Sequence, residues 1–228
     1  MPPKNLETQE DARPAPLGVD VIVDTAVQIG RRDGFDAVSM RGLARHFGVT
    51  TMAIHYHVPT KTRLMELMAD RVLSTVAPAP TFGSWDERLR AVHQNVSEVL
   101  ADFPGINRYL VSQRGIPSVL RLTDTTMGIL LDAGFDEVTV VLAQATTVSY
   151  WMGFLQLRSR FDRKGRDSAP RHTTVGEYPA LERVAAASAK VALEDYPSFA
   201  IDTIVAGLRA LLTQGVDDSR PPPMAEER

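Results

Sequence analysis

Residues 38–61, VSMRGLARHFGVTTMAIHYHVPTK, decide how the rest of the chain is read. Ser39 offers a side-chain oxygen at the head of a segment in which Leu43, Ala44 and Phe47 recur at helical spacing, which predicts an N-capped helix over 39–47. Small Ala44 permits a close crossing. Gly48 reaches the left-handed backbone that stops a helix abruptly, and Val49 after it turns toward a core. Thr50 caps a second, shorter helix over 50–57. That helix directs only Ile54, with Val58 just beyond it, inward, so Thr51, Met52, Ala53, His55 and Tyr56 remain for a partner surface. Two helices about a one-glycine turn, the second poor in core positions, make a helix-turn-helix, in which the second helix enters the DNA major groove.

Charge points the same way. The chain of 228 residues carries a formal net charge of -3 and a pI near 6.0, yet 37–65 holds Arg41, Arg45, Lys61 and Arg63 with no Asp or Glu. A locally positive face on an acidic protein fits a directed phosphate contact rather than a generally sticky polycation. Within this face Thr51, Met52 and Ala53 are expected at base edges, with Met40 and Arg41 approaching from the preceding helix. His55, Tyr56 and Lys61 are expected to hold phosphates, and Thr50 caps the reading helix. A threonine hydroxyl exchanges hydrogen bonds with bases, and Met52 and Ala53 suit a thymine methyl. Arg41 has two open roles, a bidentate guanine contact or a phosphate contact.

On Gly34, Phe35, Asp36, Val38, Ser39, Arg41, Leu43, Ala44, Phe47, Gly48, Val49, His57, Val58 and Lys61 the sequence resembles the TetR family of transcriptional repressors. It departs at His55-Tyr56, where the family commonly has a tyrosine first; a histidine there has shorter reach and a charge that depends on pH. The resemblance implies an N-terminal helical DNA-binding head followed by an all-helical domain that binds a small molecule and forms a homodimer. The segment SWDERLR (84–90) and the terminal PSFAIDTI helix look like the tetracycline-repressor branch. However, the position matching that branch's magnesium-coordinating histidine is Tyr109, and the position of a preceding polar drug contact is Val92. Neutral tyrosine is a poor Mg²⁺ ligand, so a magnesium-tetracycline effector is not implied.

The predicted organisation is all-α. A polar, proline-rich arm spans 1–18, the head with its connecting helix 19–76, the second domain 77–215 and a tail 216–228. Short arms beside such heads sometimes follow the minor groove, but Lys4 and Arg13 are diluted by Glu7, Glu10 and Asp11. Helices are predicted over 20–32, 61–76, 85–100, 105–113, 117–133, 136–160, 179–194 and 197–214, with Pro, Gly and Asp marking several ends. The connecting helix 61–76, buried through Leu64, Leu67, Met68, Val72 and Leu73, touches both regions. The segment 159–179 reads as a polar loop rather than a second nucleic-acid surface.

Helix 136–160 carries apolar residues around much of its circumference, and helix 197–214 adds Phe199, Ile201, Ile204, Val205, Leu208, Leu211 and Leu212 beside the close-packing Ala206-Gly207 pair. Both predict half of an intersubunit four-helix bundle with Leu208 central. A homodimer suits an inverted-repeat operator on double-stranded DNA. For the effector, taken as small and apolar or amphipathic, His93, Val96, Phe103, Tyr109, Met127, Thr147, Tyr150 and Trp151 offer the mostly apolar lining with a few polar groups typical of a pocket. Each serves equally as ordinary core.

With 44% hydrophobic residues the chain can build a substantial core, and it has no cysteine. Five histidines are too scattered for a zinc cluster, so no cofactor or metal is expected. No apolar run approaches bilayer-spanning length and 1–18 lacks a signal-peptide core, which predicts a cytoplasmic protein without a membrane partner. His93, Asp102 and Glu137 form no nucleophile-base motif, so enzyme is a remote alternative; an all-helical interaction module without ligand-controlled DNA binding is the other.

Overall fold

The computed structural model describes residues 17–111, 115–164, 178–188 and 190–214; the predicted arm up to residue 16, the middle of the polar loop and the tail lie outside the described residues. The described residues are all-α, with no strand. In chain order the helices are α1 (Val19–Asp33), α2 (Met40–Phe47), α3 (Thr51–His57), α4 (Lys61–Leu73), α5 (Trp85–Ala101), α6 (Asn107–Val111), α7 (Pro117–Asp132), α8 (Glu137–Lys164), α9 (Pro179–Ser188) and α10 (Asp195–Gln214). A single 3-10 turn, Phe35–Ala37, follows α1.

The head is assembled by its caps. The Ser39 hydroxyl accepts from the Gly42 N–H at 3.0 Å, Thr50 from Ala53 at 3.2 Å and Thr60 from Arg63 at 3.0 Å. Each satisfies one orphan donor of a first turn and contributes about 1 kcal/mol. Gly48 sits at φ 66°, ψ 29°, and behind it the Val49 N–H donates to the Ala44 carbonyl at 3.0 Å. This left-handed closure sets the sharp angle between α2 and α3.

Two cores result. One joins Ile22, Ala26, Phe35, Leu43, Ile54, Leu64 and Met68 of the head to Leu100 of α5, Phe103 and Ile106 of the turn before α6, and Trp151, Phe154 and Leu155 of α8. The other fills the far end of the bundle, with Leu89 and Val92 of α5, Ile129 and Leu130 of α7, Phe135 of the turn before α8, Val140 of α8, and Val205 and Leu208 of α10. Helix α4 packs on α1 and also on α5, α6 and α7, so it belongs to both regions.

Phe35 is the joint between head and body. It is fully buried; its ring meets Phe103 edge-on at 6.1 Å and leans on Tyr109 at 5.9 Å. Its N–H donates to the Pro104 carbonyl at 3.0 Å. Asp36 beside it accepts from Arg108 at 3.1 Å and from the Tyr109 hydroxyl at 3.4 Å, while Arg31 pairs with Asp102. A second joint lies on α4, where the Ser118 N–H donates to Asp70 Oδ1 at 2.8 Å. The exposed ion pairs contribute little each, and the buried aromatic contact carries the junction.

Four sequence readings are corrected here. Helix α4 ends at Leu73 rather than near 76, because the Thr75 and Val76 N–H groups turn back to Val72 and Leu73. Helix α9 stops at Ser188 and α10 starts at Asp195, where the Asp195 carboxylate accepts from the Ala192 N–H at 2.9 Å and closes a turn between them. Leu208 is a core residue of its own subunit, 6% exposed, so it is not the centre of an outward face. And α8 contains a 22-residue stretch, Glu137–Arg158, long and apolar enough to cross a bilayer. In the fold that stretch is one wall of the bundle: Val140, Ala143, Thr147, Trp151 and Phe154 point inward, whereas Val138, Val141, Leu142 and Val148 stay exposed.

Candidate functional site

The face presented by α2, α3 and the start of α4 is built outward from three caps. Arg41, Arg45, Thr50, Met52, Tyr56 and Lys61 are all exposed, and Thr51, Ala53 and His55 are half-buried. Met52 and Tyr56, four residues apart on one side of α3, are 76% and 85% exposed. Two large side chains held in water on a seven-residue helix gain nothing for the fold of this subunit. Ile54 and Val58 anchor the helix from behind with no exposed surface.

Met40 does not join this face. It is 8% exposed and lies in the core, because 40, 43, 44 and 47 are the i, i+3, i+4, i+7 positions of the inward stripe of α2. That spacing was readable in the sequence. Arg45, one turn beyond Arg41 and also exposed, belongs on this face; the sequence reading counts its charge there but gives it no contact. His55 is engaged as well: its Nδ1–H donates to the Pro59 carbonyl at 2.9 Å. A neutral ring then presents only an acceptor at Nε2, so His55 donates to a phosphate solely as imidazolium.

In the body, the residues read as pocket lining separate into groups. Phe103 and Tyr109 pack on Phe35 at the head junction, and burial followed by the neighbouring Asp36 charge pushes the Tyr109 phenol up. Met127 packs on the far core. Thr147 is buried with its hydroxyl spent on the Ala143 carbonyl of its own helix, 2.8 Å away. Val96 packs against both cores.

His93, Tyr150 and Trp151 come together, joined by Phe154, which the sequence reading left out although it follows Tyr150 by one helical turn. The Trp151 Nε1–H donates to His93 Nδ1 at 2.9 Å. The two ring planes differ by 12° with centroids 6.2 Å apart, so indole and imidazole lie edge to edge in nearly one plane. With Nδ1 accepting, the neutral imidazole keeps its proton on Nε2. Burial lowers the His93 pKa to about 4, which keeps the ring neutral. Tyr150 stands at 67° to Trp151, and its ring runs nearly parallel to Phe154, 6.0 Å away.

The Tyr150 hydroxyl is buried with no hydrogen-bond partner among the described residues. A buried unsatisfied hydroxyl costs about 1–3 kcal/mol, so native structures seldom keep one without a use. The other buried polar side chains of the body are satisfied: Asp86 by Arg90 and by Arg209 at 2.6 Å, the Ser118 hydroxyl by the Asp70 carbonyl at 3.2 Å, and Thr126 by Gln144 at 2.8 Å.

The chain is similar to known proteins in both of these regions. Residues 22–68 match the family model described as bacterial regulatory proteins, tetR family, and residues 77–212 match that of the tetracyclin repressor-like C-terminal domain. An HTH-type transcriptional regulator of Saccharopolyspora erythraea is 32% identical over 184 residues, 77% of each chain. Among solved structures, ActR of Streptomyces coelicolor in complex with actinorhodin superposes with a TM-score of 0.72 at 22% identity, covering 86% of this chain and 98% of that one. BioQ with its double-stranded DNA operator gives 0.62 at 19%, covering 85% and 99%. Identities this low establish the shared fold and no more.

Proposed function

This chain belongs to the TetR family of bacterial regulatory proteins, and from there we propose that it is a cytoplasmic transcriptional repressor that binds an inverted-repeat operator as a homodimer and leaves it when a small molecule enters the body. The observation that carries the DNA half is the α2–α3–α4 face, where Met52 and Tyr56 stand exposed beside Arg41, Arg45 and Lys61 in a stretch without a carboxylate. Thr51, Met52 and Ala53 read bases; Tyr56 and Lys61 hold phosphates, joined by His55 when it is protonated. The operator-bound BioQ structure supports the same use of the fold, and the ligand-bound ActR structure supports a small-molecule site in the body.

The homodimer rests on what α8 and α10 leave outside. Val138, Val141, Leu142 and Val148 on α8 and Phe199 and Leu211 on α10 are 43% to 75% exposed, a stripe at helical spacing on α8 joined by two large apolar side chains on α10. A Cβ placed on Gly207 of α10 meets nothing within 4 Å, so a second helix has room to approach there. A magnesium-tetracycline effector is not supported: Tyr109, which the resemblance aligns with the metal-ligand position, donates its hydroxyl to Asp36, and Val92, which it aligns with the polar drug contact, is buried in the core.

Selection of randomised duplexes with the full chain, followed by quantitative binding at several salt concentrations, tests the reading. An inverted repeat is the expected product. Lys61→Ala should weaken binding to all sequences alike and reduce the salt slope by about 0.9. Arg41→Ala should flatten preference at one operator position by about 1–3 kcal/mol if it reads guanine, and leave preference unchanged if it holds phosphate. Unchanged DNA affinity in a folded protein altered at Arg41, Thr51, Tyr56 and Lys61 would remove this face as the reader.

A further inference from the structure

Within that reading of the body as an effector-binding domain, we infer that the His93–Trp151–Tyr150–Phe154 cluster is built for a flat aromatic molecule that is uncharged and bears a hydroxyl or carbonyl oxygen, with the Tyr150 hydroxyl as its polar anchor. Shape, polarity and charge each narrow the class. The edge-to-edge indole and imidazole give one broad planar surface, 12° from coplanar. Tyr150 and Phe154 stand across it, at 67° and 79° to the indole, and Tyr196 of α10 extends their stack 6.5 Å beyond Phe154. Ring faces set as floor and wall favour flat aromatic partners in stacked or edge-on contact over puckered ones.

Polarity comes from two groups that border the same indole. The Tyr150 hydroxyl has no partner among the described residues, and burial pushes its phenol up, so it stays protonated and donates. His93 spends Nδ1 on Trp151 and holds its proton at Nε2 as a second donor. Both therefore ask for an acceptor oxygen on the ligand.

Charge closes the choice. The core around these rings is apolar, and the buried carboxylate among the described residues, Asp86, is taken by Arg90 and Arg209. The cation at its margin, Arg158, donates to the Ala101 carbonyl at 2.9 Å. An ammonium ligand would lose its hydration there and gain no counter-charge, whereas a neutral phenol or ketone gains a hydrogen bond.

Four matched probes decide it by calorimetry without DNA, on the full chain: 2-naphthol, naphthalene, decahydro-2-naphthol and the cation 2-naphthylmethylammonium. The expected order has 2-naphthol about tenfold tighter than naphthalene, the gain of one buried hydrogen bond. The saturated alcohol should bind about tenfold more weakly than 2-naphthol, having lost the ring-face contact. The cation should not bind. Tyr150→Phe should remove the preference for 2-naphthol over naphthalene and leave naphthalene affinity as it was. The unliganded variant should melt at or above the wild-type temperature, because it loses an unpaired group. Equal affinity for 2-naphthol and naphthalene, binding of the cation, a preference that survives Tyr150→Phe, or a sharply lower melting temperature in that variant each overturns the inference. Operator binding measured beside it keeps the two readings apart. If 2-naphthol binds in this pattern without changing operator affinity, the site stands and ligand control falls. If operator binding is intact and no probe binds, the site falls alone.

Discussion

Replacing Leu142 with glutamate should separate the subunits without unfolding them. Leu142 keeps 62% of its surface exposed and neighbouring Val141 56%, both on the outer side of α8. Full burial of such a side chain stabilises by about 1.5–3 kcal/mol, so covering the exposed part of Leu142 contributes about 1–2 kcal/mol per subunit. A two-fold interface counts every residue twice. Glutamate forfeits both contributions and adds two carboxylates that must shed water, a loss of at least about 3 kcal/mol, or about a hundredfold in the dimer dissociation constant. Sedimentation velocity from submicromolar to tens-of-micromolar protein measures it, with melting temperature recorded alongside. Two controls fix the meaning. Leu131→Glu, at an exposed position of α7, a helix outside the α8–α10 pair, should leave the mass unchanged. Leu208→Glu, inside the subunit core, should lower the melting temperature before it alters association. A monomeric wild type, or a Leu142→Glu protein as tightly dimeric as wild type, would refute the assignment of this face.

Other consequences follow from the same structure. Gly48→Ala should destabilise by about 1–2 kcal/mol in urea unfolding: a Cβ there meets nothing within 4 Å, so the cost is backbone alone. Gly48→Asn should cost less, since asparagine tolerates the left-handed region, and equal losses would contradict a purely conformational origin. His93, with its folded-state pKa lowered from 6.5 to about 4 by burial, is neutral in the fold while the unfolded chain takes up a proton. Its contribution is therefore complete above pH 6.5 and is lost as pH falls toward 4, about 3 kcal/mol in all. Denaturant unfolding across that range checks it, and His93→Phe should flatten the slope. Asp86 is held below its usual range by the Ser84 hydroxyl, then by Arg90 and Arg209. Its contribution is present above the ordinary carboxylate pKa and vanishes on more acid titration, so Asp86→Asn should reduce stability at neutral pH and lose that difference in strong acid.

The head was legible because each of its decisions is local. Ser39, Thr50 and Thr60 cap within three residues, Gly48 turns where it stands, and the stripe of α2 needs no partner to be recognised. Met40 stands beside the motif in sequence, but its spacing with Leu43 and Ala44 puts it on the inward stripe. The body depends on contacts across long separations. Nothing in the sequence near Phe103 or Tyr109 says that Phe35, about seventy residues earlier, sits between them. Nothing near Trp151 names His93 as its hydrogen-bond partner. Leu208 reads like an interface residue because an apolar helix looks alike whether its neighbours are its own subunit or another, and only α5 and α8 packed against its helix distinguish the two.

That long-range packing bears on how an occupied body reaches the DNA face. The core containing Trp151, Phe154 and Leu155 is the same one that contains Phe35, Leu43, Ile54 and Leu64. Head and aromatic cluster are therefore parts of one close-packed body, in which a side chain displaced by a ligand has to displace its neighbours. The Phe35 joint adds direction: its backbone is fixed to Pro104, its ring is held between Phe103 and Tyr109, and α6 beyond them packs on α8 and on α4. A ligand that moves α8 against α6 thus acts on α1 through Phe35 and on α4 directly, the two helices that carry α2 and α3. Tight binding alone does not produce release. The ligand shifts the population only by the difference in its affinity for the two arrangements of this joint.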